Sequence, residues 1–482
     1  MENIMIIGIG HHCRRIYYPL FEKLGTYNFI LVDISSEKKK IKRYLSKMKL
    51  KPLEEIYVGK FSEEDTSLPI EIKEKLNEQI KKYSVKGIIV STDPLYHYQY
   101  AKWALENELS ILMDKPITIS KDVSTNPEQS NKLIEHYLDL KEMYKKVNNK
   151  KRKILFSIVS QRRFHKGFEK VKEFLREVYE ETNCPPTSIQ ISHSDGQWRL
   201  PSEIIDIDYH SYNQGYGKVS HSGYHFIDIM NFLTDFVRKD KKANNVEINS
   251  EFLRPLDFIS QINLKDYEKI FRTRFARTNK YNLEDLNKKM KNFGEIDAFI
   301  TMAFKKEDRI IFLGSINLIH NSFSLRGNLI PNKDLYKGNG RVRHESYTIQ
   351  QGPFQCIQII SFQSKEVTKE KRHNYNLGGE YHFDIYIFRN NNLIKKWERF
   401  KKISIKSLQN SIMSGRSRGH QEDARMVATK EFLDFLGEKT KEKYISDFLD
   451  HENNVKLIAG IYRSAALDFN NLNSKVGVRY EN

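Results

Sequence analysis

Asn3-Ile4-Met5-Ile6-Ile7-Gly8-Ile9-Gly10-His11-His12-Cys13 is the stretch that decides the fold. Its apolar run reads as a short buried strand, and the glycines behind it as a tight turn into a helix predicted over 16–24. Such a turn lets the backbone approach a dinucleotide pyrophosphate at a helix start. A third glycine would complete the pattern; Cys13 stands in its place, small enough for close packing of helix on strand. Phe29-Ile30-Leu31-Val32-Asp33 is the second strand. Asp33 at its end suits a ribose diol and would repel a 2′-phosphate, so NAD is the expected cofactor and NADP the weaker alternative. Lys38, Lys39 and Lys40 nearby pull toward NADP. The same aspartate also reads as a plain helix cap. His11 and His12 lie in the turn, facing either phosphate or solvent.

Outward from this stretch, strand and helix patterns alternate. Helices are predicted over 37–48, 70–83 and 97–106, and strands over 87–91 and 109–113. This alternation predicts a doubly wound parallel sheet. The last of these strands runs into Asp114-Lys115-Pro116. A lysine at the carboxyl end of such a strand lies where open α/β sheets bind ligands. Beside a nicotinamide it suggests redox chemistry on a hydroxyl or carbonyl; taken alone it reads equally well as a surface lysine. Ser91-Thr92-Asp93-Pro94 ends another strand, with His97 opening the next helix. Hydroxyls and amides here suit a nucleotide ribose, and Thr92 or Asp93 also suits simple capping.

Past a polar loop over 121–130, a helix is predicted over 131–147, then a basic hinge over 148–153 and a strand over 154–159. From there the pattern turns β-rich, with strands predicted over 188–193, 298–304, 310–319, 355–362 and 381–388 and fewer helices, one of them amphipathic over 422–436. Two domains are therefore expected: residues 1–152, a dinucleotide-binding domain, and 153–482, an α/β domain with a large, mainly antiparallel open sheet for substrate binding and oligomerisation. With 482 residues, 39% of them hydrophobic, there is ample core for both. The three cysteines, Cys13, Cys184 and Cys356, have neither disulfide nor zinc spacing, which favours a reducing, cytoplasmic setting. The first strand leaves no room for a signal peptide, and no apolar run approaches a membrane span. The net charge of +18 is spread over helices that also carry glutamate, such as 71–82. It points away from nucleic acid and fits an anionic small substrate equally well.

A second dense segment is Gly215-Tyr-Gly-Lys-Val-Ser-His-Ser-Gly-Tyr-His-Phe-Ile-Asp228. His221 and His225 are four apart and share a helix face. A metal would accept that spacing, but no third ligand is apparent and none is expected. A histidine at a helix start makes a credible general acid/base, since its pKa lies near neutrality.

Gly8-Ile9-Gly10, Ser91-Thr-Asp-Pro-Leu-Tyr-His97, Asp114-Lys115-Pro116 and Gly217-Lys-Val-Ser-His-Ser-Gly-Tyr-His225, in this order, resemble the glucose–fructose oxidoreductase / inositol dehydrogenase (Gfo/Idh/MocA) family. Gln161-Arg162-Arg163-Phe164 resembles a family segment near the nicotinamide. The likeness is strong over roughly residues 1–235 and weak beyond. It implies a Rossmann domain followed by an open-sheet α/β domain, and a homo-oligomer, dimer or tetramer, formed through that sheet. It implies that Lys115 and His225 are catalytic and meet at the nicotinamide. Asp114 stands where the family usually has Glu. His221 stands where it often has a catalytic Asp, so a group that would raise a neighbouring histidine's pKa is replaced by one that is neutral or positive. The expected cofactor contacts are Gly8, Gly10, His11, Asp33, Thr92, Asp93, Pro94, His97, Asp114, Lys115 and Arg163, with Trp198, Arg199 and Tyr212 contacting substrate. Tyr209, His210 and Asn213, and the arginines of Gly415-Arg-Ser-Arg-Gly-His420, are further candidates. The expected activity is reversible oxidation of a secondary alcohol on a sugar, inositol or sugar derivative. The alternatives are a non-catalytic dinucleotide-dependent sensor and a glycosidase or lyase whose cofactor is reduced and reoxidised within one cycle.

Overall fold

The computed structural model describes residues 2–149, 153–207, 210–326, 340–364, 374–408 and 419–480. Residues 150–152 of the basic hinge, together with Tyr209 and Gly415 to Arg418, lie outside the described residues. The chain divides into two compact units: Met1–Ile119 with Leu133–His165 and Gln421–Val455, and Ser120–Lys132 with Lys166–His420 and Lys456–Asn482.

The first unit is built on six parallel strands: β1 (Glu2–Ile7), β2 (Tyr27–Ile34), β3 (Glu54–Val58), β4 (Gly87–Val90), β5 (Ser110–Met113) and β6 (Phe156–Ile158), in the order β3-β2-β1-β4-β5-β6. The strand order reverses between β1 and β4, the switch point where doubly wound sheets take ligands. Ile4 to Ile7, Ile88 to Val90 and Ile111 to Met113 are buried, as a sheet covered on both faces requires.

The strand expected to open the second domain is instead β6, the edge of this sheet, with Phe156 opposite Ile111. Its residues are all buried, and a continuous short apolar run looks the same at the end of one sheet as at the start of another. The unit is completed from late in the chain. Phe432 and Leu436, on the helix His420–Leu436, lie over Gly87, where a Cβ would stand 3.1 Å from each side chain. Phe448 stacks on Tyr137 and Phe156 at centroid distances of 4.6 and 4.3 Å.

The second unit carries nine strands: β7 (Ser188–Ser194), β8 (Asn245–Leu253), β9 (Asp297–Lys306), β10 (Arg309–Ile319), β11 (Arg343–Gln351), β12 (Gln355–Gln363), β13 (Asp384–Arg389), β14 (Phe400–Ser404) and β15 (Val476–Arg479). Their order is β14-β13-β12-β11-β7-β10-β9-β8-β15, antiparallel except for β7 beside β10. The α/β class with a parallel sheet and a large, mainly antiparallel sheet is thus as expected.

Alternation divides the faces of this sheet. Ala298, Ile300, Met302 and Phe304 are buried, while Phe299 and Thr301 are exposed. Helices Lys166–Thr182 and Tyr224–Phe232 cover the buried face, where Phe168 and Phe226 meet Tyr347. This half is more helical than its pattern suggests. Pro255–Gln261, Leu264–Phe271, Thr273–Thr278 and Leu283–Met290 are helices too short for a clear period. Among the described residues, no helix is long and apolar enough to cross a membrane.

Candidate functional site

In the first unit the site begins with Gly8. Its φ of +89° belongs to glycine, and a Cβ would stand 2.5 Å from the Ser91 carbonyl oxygen. The end of β1 is thereby held against the end of β4 at the switch point. Gly10 differs. Its φ is −68°, and a Cβ there would meet nothing within 4 Å. The chain's own packing does not ask for glycine at this position; the residue leaves backbone uncovered on an open side, as a closely approaching phosphate needs. Cys13 is fully buried in the third place of the pattern. Asp33 accepts from Ile9 N at 2.8 Å and from Ile34 N at 2.7 Å. It therefore braces the turn while keeping lone pairs for a diol. Burial raises its pKa, and the two amides oppose that rise. These residues fit a dinucleotide.

At the end of β5, Asp114 accepts from Tyr17 Oη and, at 2.7 Å, from Ser91 Oγ. His12 Nε2 lies 3.6 Å from Asp114, but burial lowers the His12 pKa to about 4. The ring is neutral at pH 7, so this contact is not an ion pair. Lys115 follows, half-buried, and the Lys115–Pro116 peptide is cis. His97 is fully buried, with Nδ1 2.7 Å from the Pro116 carbonyl oxygen and Nε2 3.3 Å from that of Thr92. Both ring nitrogens face backbone, so His97 struts the two strand-end loops rather than reaching outward. Asp93 caps Leu95 N at 3.0 Å, between half-buried Thr92 and Pro94, and His11 is exposed. Arg163 points elsewhere: its buried guanidinium donates to the carbonyls of Ile445 and Asp450, both at 3.3 Å.

In the second unit, Val219–Gly223 forms a π-turn leading into the helix Tyr224–Phe232. Turns of this kind are frequent at functional sites. His221 sits inside it and His225 opens the helix; both are nearly buried. The His221 ring stacks on His210 at 4.5 Å and 15°, with Tyr216 5.6 Å away edge-on and Tyr212 at 6.2 Å. Aromatic rings thus stand around His221. Tyr212 donates to His320 Nδ1, and His320 Nε2 lies 2.8 Å from Gln197 Oε1. Arg199 Nη2 donates to the same Gln197 oxygen at 3.0 Å, and Nη1 donates to the His210 carbonyl at 3.3 Å. Arg199 and Tyr212 therefore belong to the shell around His221. Trp198 does not act as an open platform. Its Nε1 donates to Tyr267 Oη at 3.2 Å, and its ring packs with Tyr267 and Phe271 against a hydrophobic core.

Several residues of this shell carry no sequence signal. Glu295 accepts from Val219 N at 2.8 Å and from Tyr462 Oη at 3.0 Å, while Ser220 N donates to the same tyrosine oxygen at 3.1 Å. Two consecutive amides of the π-turn are clamped this way. Burial raises Glu295 to a pKa of about 7. Lys218, fully buried, pairs with Asp195, which also pairs with Arg341. Burial alone would raise Asp195, but the two cations outweigh it and hold the carboxylate well below its ordinary range. The close backbone approach required at Gly217 and Gly294 is the only local hint of the Glu295 contact.

No protein-family model and no curated protein matches the chain. Solved structures do. An oxidoreductase from Agrobacterium radiobacter, in complex with NAD+, L-tartaric acid and magnesium, superposes with a TM-score of 0.57 at 11% identity, over 99% of this chain and 98% of its own. Aldose-aldose oxidoreductase from Caulobacter crescentus, complexed with glycerol, gives 0.55 at 12% identity over 99% of both chains. UDP-N-acetylglucosamine 3-dehydrogenase from Acidithiobacillus ferrooxidans gives 0.50 at 10% identity over 97% of this chain and 98% of its own. The chain has the fold of the Gfo/Idh/MocA oxidoreductases. At such identities the Gfo/Idh/MocA likeness speaks to architecture, and chemistry must be argued from this chain's own residues.

Proposed function

We propose that the chain is an NAD(P)-dependent oxidoreductase that interconverts a secondary alcohol and a ketone on a sugar, inositol or sugar derivative. One observation carries the reading. The Gly8 turn, the Asp33 carboxylate and Lys115 all stand at the carboxyl ends of strands in a sheet of order β3-β2-β1-β4-β5-β6. Gly8, Gly10, Asp33 and the Thr92–Pro94 loop hold the dinucleotide. When bound, it supplies the acceptor or donor of hydride. Lys115 hydrogen-bonds the reacting hydroxyl and orients it. His225 takes the hydroxyl proton in oxidation and returns it in reduction. His221 contacts substrate or tunes His225. Structural neighbours that act on aldoses, act on a UDP-sugar or bind tartaric acid support the polyol class. Asp33 favours NAD. Three cysteines without disulfide partners favour a reducing compartment.

A homo-oligomer forms through the second face of the large sheet, where Phe299 and Leu313 stand exposed beside Gln190, Thr301 and Gln358. Light scattering should give a multiple of the 57.0 kDa chain mass, and a strictly monomeric mass would count against it.

One observation favours a second reading. His221 is stacked on His210, with no acid at its own position to raise His225. This suits a sensor that binds cofactor without turnover. Single-turnover mixing of the NAD-loaded protein with a panel of polyols separates the two: absorbance of reduced nicotinamide supports the enzyme, and its absence with every polyol supports the sensor. Substrate consumption without net reduced cofactor would mark the internally cycling glycosidase or lyase.

A further inference from the structure

Among the described residues, the surroundings of Arg199 in the His221 shell leave its chemistry incomplete. The side chain is only 4% exposed. A guanidinium offers five N–H donors and always carries its charge. Two of its nitrogens donate, and both acceptors are neutral: the Gln197 side-chain oxygen and the His210 carbonyl. Nε is enclosed and has no hydrogen-bond partner among the described residues. The Tyr212 ring, 5.3 Å from the guanidinium carbon, adds a quadrupole but no counter-charge.

Three described carboxylates of the same region, Asp195, Glu203 and Asp297, are committed elsewhere. Asp195 pairs with Lys218 and Arg341. Glu203 takes both Arg326 nitrogens at 2.7 Å. Asp297 accepts from the amides of His320 and Asn321 at 2.6 and 3.2 Å. The bonds around Gln197 also fix polarity. Arg199 can only donate, so the Gln197 atom facing it is oxygen. His320 Nε2 must then donate to that oxygen, and His320 Nδ1 accepts the Tyr212 hydroxyl proton. Burial, followed by the Arg199 charge, holds His320 well below its ordinary pKa, so this neighbour is neutral as well.

A buried cation with neutral partners is costly unless an anion completes it. Planar, multidentate donors match a carboxylate or a phosphate. We propose that Arg199 anchors an anionic group, a carboxylate or a phosphate ester, on the substrate. The substrate class is then acid sugars or sugar phosphates rather than neutral polyols. Tyr212 neighbours both Arg199 and His221, which puts the anion beside the group that contacts or tunes the reacting centre. The assignment rests on the oxidoreductase reading for its location and, for its chemistry, on the charge of Arg199 having no carboxylate partner among the described residues.

The test is calorimetric titration of the full chain, saturated with NAD, with D-glucuronate, D-glucose 6-phosphate and D-glucose at low salt. Wild type should bind at least one of the two anions about tenfold more tightly than glucose, the scale of one charge-assisted contact. Comparing the two anions decides between carboxylate and phosphate. Arg199→Gln should bring the preferred anion to the level of glucose, and Arg199→Lys should keep part of the preference. NAD affinity should be unchanged in both variants, which controls for misfolding. Absence of an anion preference in wild type, or a preference that survives in Arg199→Gln, overturns the proposal. Should neutral polyols reduce bound NAD with the same KM in wild type and Arg199→Gln, the oxidoreductase reading stands and the anion anchor falls.

Discussion

In the proposed reading Lys115 and His225 carry the chemistry, and backbone and Asp33 hold the dinucleotide. Binding and turnover should therefore separate. Lys115→Met and His225→Ala are expected to bind NAD within a few-fold of wild type in fluorescence titrations. Their turnover should fall by roughly a hundredfold or more, the scale of losing a positioned acid/base. Parallel loss of binding would reduce these residues to structural roles, and full activity of His225→Ala would reject the acid/base. Asp33 sets a second expectation. Its oxygens are braced by Ile9 and Ile34, so its charge is fixed where a 2′-phosphate would arrive. Lys40 is drawn to Glu37 at 3.0 Å and Lys38 lies over the Tyr57 ring, which leaves less positive charge to offset it. Titration with both cofactors should show tighter NAD than NADP, and equal or tighter NADP binding would refute the preference.

At the scale of an element, the π-turn depends on Glu295. Burial pushes this carboxyl up to a pKa of about 7, against an ordinary value of 4.5. Between those values the native state holds a proton that the unfolded chain has released. Stability should therefore fall as pH rises through that window and level off above it, by about 3 kcal/mol at most. Asp297, raised to about 6 by burial, acts with the same sign. Glu295→Gln keeps an oxygen for Val219 and Tyr462 but cannot ionise. Urea melts at pH 5, 6, 7 and 8 should show a smaller fall for the variant than for wild type. Identical slopes would mean that Glu295 is not the titrating group.

The same clamp explains which parts of the site could be read in advance. Gly8 is legible because its constraint is local: a turn between an apolar strand and a helix. The strands around it are legible because burial on both faces leaves unbroken apolar runs. β3 escapes notice because Glu54 and Glu55 open a strand of five residues. β8 alternates, but its less buried positions, Asn245, Glu247, Asn249 and Glu251, look like loop. The contact of Glu295 with Tyr462 spans 167 residues and has no pattern of its own. Nothing in the sequence pairs Lys218 with Asp195, and Trp198 reads as a substrate contact until Tyr267 and Phe271 are found beside it.

At the scale of the molecule, completion of the first unit by residues 421–455 governs the order in which the chain matures. A nascent chain emerging from a ribosome presents its amino-terminal strands first. Yet the Gly87 face of the sheet stays uncovered until Phe432 and Leu436 have been made, and Tyr137 and Phe156 stay exposed until Phe448 arrives. Arg163 likewise waits for the carbonyls of Ile445 and Asp450. The amino-terminal third is thus no free-standing module. A fragment of residues 1–165 should lack a cooperative urea transition and precipitate or bind hydrophobic dye, whereas the full chain should not. During synthesis that stretch should stay open to chaperones until residues 421–455 have been added, so a ribosome stalled before residue 421 should hold a protease-sensitive chain.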